Sequence, residues 1–164
     1  MSPLKKIRIT LIFFMAALVA SGVTAIPIES ELTWLLKFQN HIPTGMADWL
    51  KSCRQAIAYT NLHYPMVAYG FDWLAFAHVV IAIVFVGPYR DPVKNVWVID
   101  WGIIACVLIV PTAFIFGPMR GIPVFHLLID TLFGIFGVVP LLCCKRWIKA
   151  MEAHKSGIIS AFER

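Results

Sequence analysis

Residues 123–144 read PVFHLLIDTLFGIFGVVPLLCC, an apolar run whose only polar side chains before its terminal cysteines are His126, Asp130 and Thr131. A helix needs about 20 mostly apolar residues to cross about 30 Å of hydrocarbon, and this run has that length. Three further runs match it: residues 7–26, 66–87 and 97–116. The whole chain is 60% hydrophobic and 14% charged, whereas soluble domains carry about a quarter charged residues. The expected fold is an all-α membrane protein. It would be a four-transmembrane-helix bundle forming a single integral membrane domain over residues 1–164, with 27–65 as an outer-side interfacial region and 145–164 as a cytoplasmic tail.

Punctuation sets the expected boundaries. Gly87-Pro88 should stop the second helix, and Asp91 before Pro92 reads as an N-cap for the third. Gly117-Pro118 should end the third helix and Gly121-Ile122-Pro123 should start the fourth. The short connections make helices two, three and four sequential antiparallel neighbours. Pro111 and Pro140 fall inside spans, where each should kink its helix. Lys5, Lys6 and Arg8, with small residues at Val23-Thr24-Ala25, also fit a cleavable signal peptide. The length of the apolar run and Pro27 just beyond the cut favour a retained helix.

Basic residues give an orientation. With the N-terminus inside, one side holds Lys5, Lys6, Arg8, Arg90, Lys94, Lys145, Arg146, Lys149, Lys155 and Arg164, and the other holds Lys37, Lys51, Arg54 and Arg120. This bias places both termini in the cytoplasm of a multi-pass protein of the cell (inner) membrane. It also accounts for the net charge of +5 without a nucleic-acid partner. In the 27–65 region, Met46, Trp49, Leu50, Cys53 and Ile57 recur at helical spacing opposite Asp48, Lys51, Ser52, Arg54 and Gln55. That pattern predicts an amphipathic helix on the bilayer surface or capping the bundle, with a second short helix near 31–39. The cysteines Cys53, Cys106, Cys143 and Cys144 form no C-x-x-C pair, so they read as small apolar residues rather than a zinc or dithiol motif.

Ionisable side chains in hydrocarbon are costly and are therefore candidate functional groups. Ala68, Asp72, Ala75, His78 and Ala82 share one face of the second helix, and His126, Asp130, Gly134, Gly137, Leu141 and Cys144 share one face of the fourth. Small residues permit close helix approach, so both stripes should face the bundle interior. Asp72 and Asp130 both fall about 10 Å below the outer ends of their helices at about 1.5 Å per residue. With His126 one turn above Asp130 and Arg120 able to snorkel, these groups form a candidate ligand site or polar network that opens outward. His78 lies deeper. Its offset of about 13 Å from His126 disfavours a bis-histidine haem. A metal on His126, Asp130 and Asp72 is geometrically possible, but hydrogen-bonded satisfaction of the acids is the simpler expectation. Asp100, near the start of the third helix, should be stabilised by the helix dipole and reach the interface. Trp73, Tyr89, Trp97, Trp101 and Trp147 read as interfacial anchors.

In helix number the chain resembles the vitamin K epoxide reductase family, whose membrane C-x-x-C it lacks. In general character it is similar to the emopamil-binding type. Neither resemblance carries a motif residue by residue, and no site is transferred. The expected role is a non-catalytic accessory subunit or small-ligand-binding bundle whose partners are the lipid bilayer and a membrane protein or a second copy of itself. One alternative is a membrane-embedded enzyme on a lipid or quinone-like substrate, with Asp72 and Asp130 as acid and base and His126 as proton carrier. Another is a proton-coupled carrier using Asp72, Asp130, His78 and Asp100.

Overall fold

The structure is a computed structural model that describes residues 1–162, with side chains described through residue 153. Its elements are α1 (Pro3–Val23), α2 (Ile28–Leu35), a 3-10 turn (Leu36–His41), α3 (Thr44–His63), a second 3-10 turn (Pro65–Val67), α4 (Tyr69–Val84), α5 (Val86–Arg90), α6 (Val96–Met119) and α7 (Val124–Phe162). No strand occurs among the described residues. Four helical stretches are long and apolar enough to cross a membrane: Pro3–Val23, Pro65–Arg90, Val96–Met119 and Val124–Ala153. At most 28% of the most apolar window of any of them is buried within the chain, so the rest of each apolar face needs an apolar surrounding. This is the all-α architecture with four membrane-spanning helices that the sequence predicts.

Local punctuation departs from expectation in three places. Gly87-Pro88 does not stop the second span. The helix breaks at Phe85, and Pro88 stands third in the short α5, within a first turn where its missing N–H costs nothing. Asp91 does not cap the third span either. Its Oδ1 accepts from the Lys94 backbone N–H at 3.1 Å within a turn, and α6 starts only after Asn95. An Asp bonding a backbone N–H three residues on closes a turn as readily as it starts a helix. Pro118 stays inside α6, and the stop comes at Gly121, with φ +68°. There Ile122 N–H donates to Gly117 C=O at 2.9 Å and Gly121 N–H to Pro118 C=O at 3.1 Å, so the last carbonyls are satisfied by a left-handed glycine. Pro111 and Pro140 lie within continuous α6 and α7. The polar tail continues α7 to Phe162, while Glu163 and Arg164 lie outside the described residues.

Contacts divide the chain into two compact units, residues 1–15 with 83 onward, and residues 16–82. The first unit holds most of the core. Ile7, Leu11, Phe85, Ile99, Leu141, Cys144 and Ile148 are each at most 1% exposed. α6 and α7 approach closely along the fourth-helix stripe. A Cβ added at Gly134 would meet the Cys106 carbonyl oxygen at 2.7 Å, and one added at Gly137 would meet Cys106 Sγ at 2.7 Å. Glycine is required there because no side chain fits between the backbones.

In the second unit, α3 is the predicted amphipathic helix. Met46, Trp49, Leu50, Cys53 and Ile57 are half-buried while Asp48, Lys51, Ser52 and Gln55 are exposed. α2 packs against it, and Asn61 Nδ2 donates to Glu29 Oε2 at 2.8 Å. The second short helix ends earlier than the predicted 31–39, its remainder tightening into the 3-10 turn. On α4, Ala75 and Ala82 are buried, and Gly22 of α1 lies against Ala75 and His78. The small residues of that stripe do form a helix interface.

Candidate functional site

On α7, His126 and Asp130 stand one turn apart, and His126 Nε2 lies 3.8 Å from Asp130 Oδ1. This is ion-pair distance and longer than a hydrogen bond. Both side chains remain about 40% exposed, at 42% and 40%. The stripe they belong to turns inward only below them, where Gly134, Leu141 and Cys144 are buried. The acid and imidazole therefore sit at the open end of a packed helix face.

Arg120 occupies the turn before α7 and is exposed. Among the described residues its side chain forms no hydrogen bond or ion pair, so the expected reach toward Asp130 is not made. A guanidinium outside the helices loses nothing by staying in water.

Asp72 and His78 belong to the other unit. Asp72 falls in the first turn of α4 and is exposed, with no hydrogen bond or ion pair among the described residues. The interior orientation expected of the whole stripe holds for Ala75 and Ala82 and fails for Asp72. The reason is that regular α4 begins at Tyr69, after the 3-10 turn at Pro65–Val67, so Asp72 falls in the first turn, at the positive dipole end of the helix. His78 Nδ1 bonds the Leu74 carbonyl of its own helix at 2.8 Å. A carbonyl only accepts, so Nδ1 carries the proton and Nε2 keeps the lone pair in the neutral ring. Within either unit, no three His, Cys, Asp or Glu side chains among the described residues come together as metal ligands.

The strongest polar contact between spans lies elsewhere. Lys145 Nζ on α7 meets Asp100 Oδ1 on α6 at 2.5 Å, with the side chains 34% and 42% exposed. Asp100 is the fifth residue of α6, past the first turn, so the dipole alone does not account for it. Lys145 supplies the countercharge. Antiparallel spans place the start of one beside the end of the next, which is how the two residues come together.

We expect Asp100→Asn and Lys145→Met each to cost about 1 kcal/mol, and the double variant little more than either. The measurement is a double-mutant cycle on unfolding in mixed micelles. Strict additivity would show that the pair contributes nothing.

Around the same end of this unit, α1 turns cations onto aromatic rings. Lys6 Nζ lies 5.8 Å from the Trp147 ring centre and the Arg8 guanidinium carbon 5.5 Å from that of Tyr89. Arg8 Nε also donates to the Tyr89 carbonyl at 3.2 Å. The tryptophan and tyrosine were legible as interfacial anchors, but their role in holding the cations of α1 was not.

Comparison with known protein families, with curated proteins and with solved structures finds no match to this chain.

Proposed function

We propose that the chain is a non-catalytic integral membrane bundle that serves as an accessory subunit or holds a small ligand. The observation supporting this is the local use of its intramembrane charges. Asp100 is matched by Lys145 and Asp130 by His126, while Asp72 stands at the positive dipole end of its own helix. Groups engaged locally in this way stabilise helix packing, which is what a structural rather than a catalytic use of them requires. The large exposed apolar faces supply the docking area, toward lipid, a membrane-protein partner or a second copy.

The test is extraction of the untagged chain in mild detergent, followed by native mass spectrometry. A stoichiometric partner, a second copy or a retained small molecule is expected. A solitary, empty chain would overturn the reading.

A second reading has one observation in its favour, the His126–Asp130 pair at 3.8 Å. As an enzyme on a lipid or quinone-like substrate, the chain would use Asp130 and Asp72 as acid and base and His126 to carry the proton. Under that reading Asp130→Asn abolishes turnover of the membrane substrate without loss of folded protein. An unchanged lipid and quinone profile in cells carrying only that variant would remove it.

For location, the reading is the cell membrane with both termini in the cytoplasm and residues 27–65 outside. Cys53 tests it, because it belongs to α3, which this reading places outside the membrane. Burial raises its thiol pKa, so less thiolate is present at a given pH than for a free cysteine. Labelling of intact cells with a membrane-impermeant maleimide should therefore be slow near neutrality and quicken as pH rises toward that raised value. Labelling that requires lysis would reverse the orientation.

A further inference from the structure

We propose that Arg8 is the centre of a binding site for the headgroup of an anionic phospholipid, an inference that rests on the chain spanning a bilayer. Arg8 is half-buried and held in place by Tyr89, through the Nε bond to its carbonyl at 3.2 Å and the stacking at 5.5 Å. One of its five N–H donors is thereby used, and the fork of the other four keeps its full charge. Among the described residues no acid pairs with it. Asp91, two residues beyond Tyr89, is committed to Lys94 at 3.8 Å, and Asp100 to Lys145 at 2.5 Å. A guanidinium already oriented, partly desolvated and lacking a counter-ion matches a phosphodiester, which accepts two parallel N–H bonds.

The surrounding flank of α1 specifies a lipid rather than a dissolved anion. Lys5, Arg8 and Ile12 lie at i, i+3 and i+7, within one narrow sector of the helix. Ile7, on the inward side, is 0% exposed and fixes which way that sector faces. Along it a cation at the helix end is followed by the guanidinium and then by Ile12, 49% exposed, with Phe13 beside it at 73%. Charge above and open apolar surface below is the order of a phospholipid, headgroup then acyl chain. Arg8 lies about 8 Å along the helix from its first residue, on the terminal side of the apolar run that follows it. Lys6, on the other flank over Trp147, adds positive potential.

The test reconstitutes the full chain in nanodiscs of phosphatidylcholine containing phosphatidylglycerol as the minor lipid. Lipids retained after detergent release are then counted by native mass spectrometry. The protein should retain phosphatidylglycerol in preference to phosphatidylcholine. Arg8→Gln should cut that preference about fivefold, the effect of removing one cation at the surface. Arg8→Lys, which keeps charge without the fork, should fall between them, and Lys37→Gln should leave the preference unchanged. Equal preference in Arg8→Gln, or equal loss in Lys37→Gln, overturns the site. Displacement of the lipid by inorganic phosphate alone overturns the assignment to a lipid. A chain that fails to enter nanodiscs overturns the membrane reading itself, whereas one that enters and shows no preference overturns only this inference.

Discussion

Gly134→Val should separate α6 from α7 and remove most of the folded protein from a detergent extract. The added Cβ alone would fall 2.7 Å from the Cys106 carbonyl oxygen, which belongs to a helix backbone and cannot rotate away. Relief requires the two helices to move apart, which breaks the packing of the neighbouring Gly137 on Cys106 and of Leu141 beside Gly102. In lipid the helices gain no hydrophobic free energy from association, so close dispersion contact is a large share of what is lost. Overpacking in cores costs about 1–3 kcal/mol, and a rigid backbone partner places this site at or above the upper end. The measurement is retention of a monodisperse peak and of the thermal transition in detergent. Gly70→Val is the control, since a Cβ there meets nothing within 4 Å. Equal loss in both variants would show that the packing register of α6 on α7 is wrong.

Phe85→Ala is the second large effect. Phe85 is 1% exposed and sits at the break between α4 and α5. Its ring meets Phe14 edge-on at 4.8 Å and Trp101 at 6.3 Å, and it lies over Gly102. Truncation leaves a cavity bounded by α1 and α6, because Gly102 has no side chain to collapse into it. Phenylalanine truncation in a water-soluble core costs about 3–5 kcal/mol, which includes the transfer of the ring out of water. With lipid as the reference the cavity and lost contacts remain, about 2–3 kcal/mol. The control is Phe136→Ala, 74% exposed, which should shift stability by no more than about 0.5 kcal/mol. Reversible unfolding in mixed micelles reads both, and a null result at Phe85 would remove it from the core.

The contrast between these two phenylalanines also marks the limit of reading the residues in order. Both stand in apolar runs, and hydropathy cannot tell a ring that faces lipid from one that faces protein. On α7 the stripe from His126 to Cys144 was visible as a face, and its lower members are the buried ones. Its upper members were visible as a polar pair, and the 3.8 Å contact follows from their one-turn spacing. Asp72 was assigned the same inward direction on the same logic, and the helix start at Tyr69 changed its setting. Such a start depends on a 3-10 turn worth a fraction of the energy that fixes a span, and hydropathy does not report it.

From its amino acids alone this chain determines four spans, an amphipathic segment between the first two, and a small-residue face on the second and fourth spans that is narrow enough to pack. Those properties follow from length against hydrocarbon thickness and from a period of 3.6 residues, both local. The tertiary structure decided which faces meet: Lys145 with Asp100, Cys106 beneath Gly134, and Arg8 on Tyr89. A periodic pattern gives every helix a direction but no partner, and partner and register are settled only when backbones approach closely enough for dispersion and charge to discriminate between them.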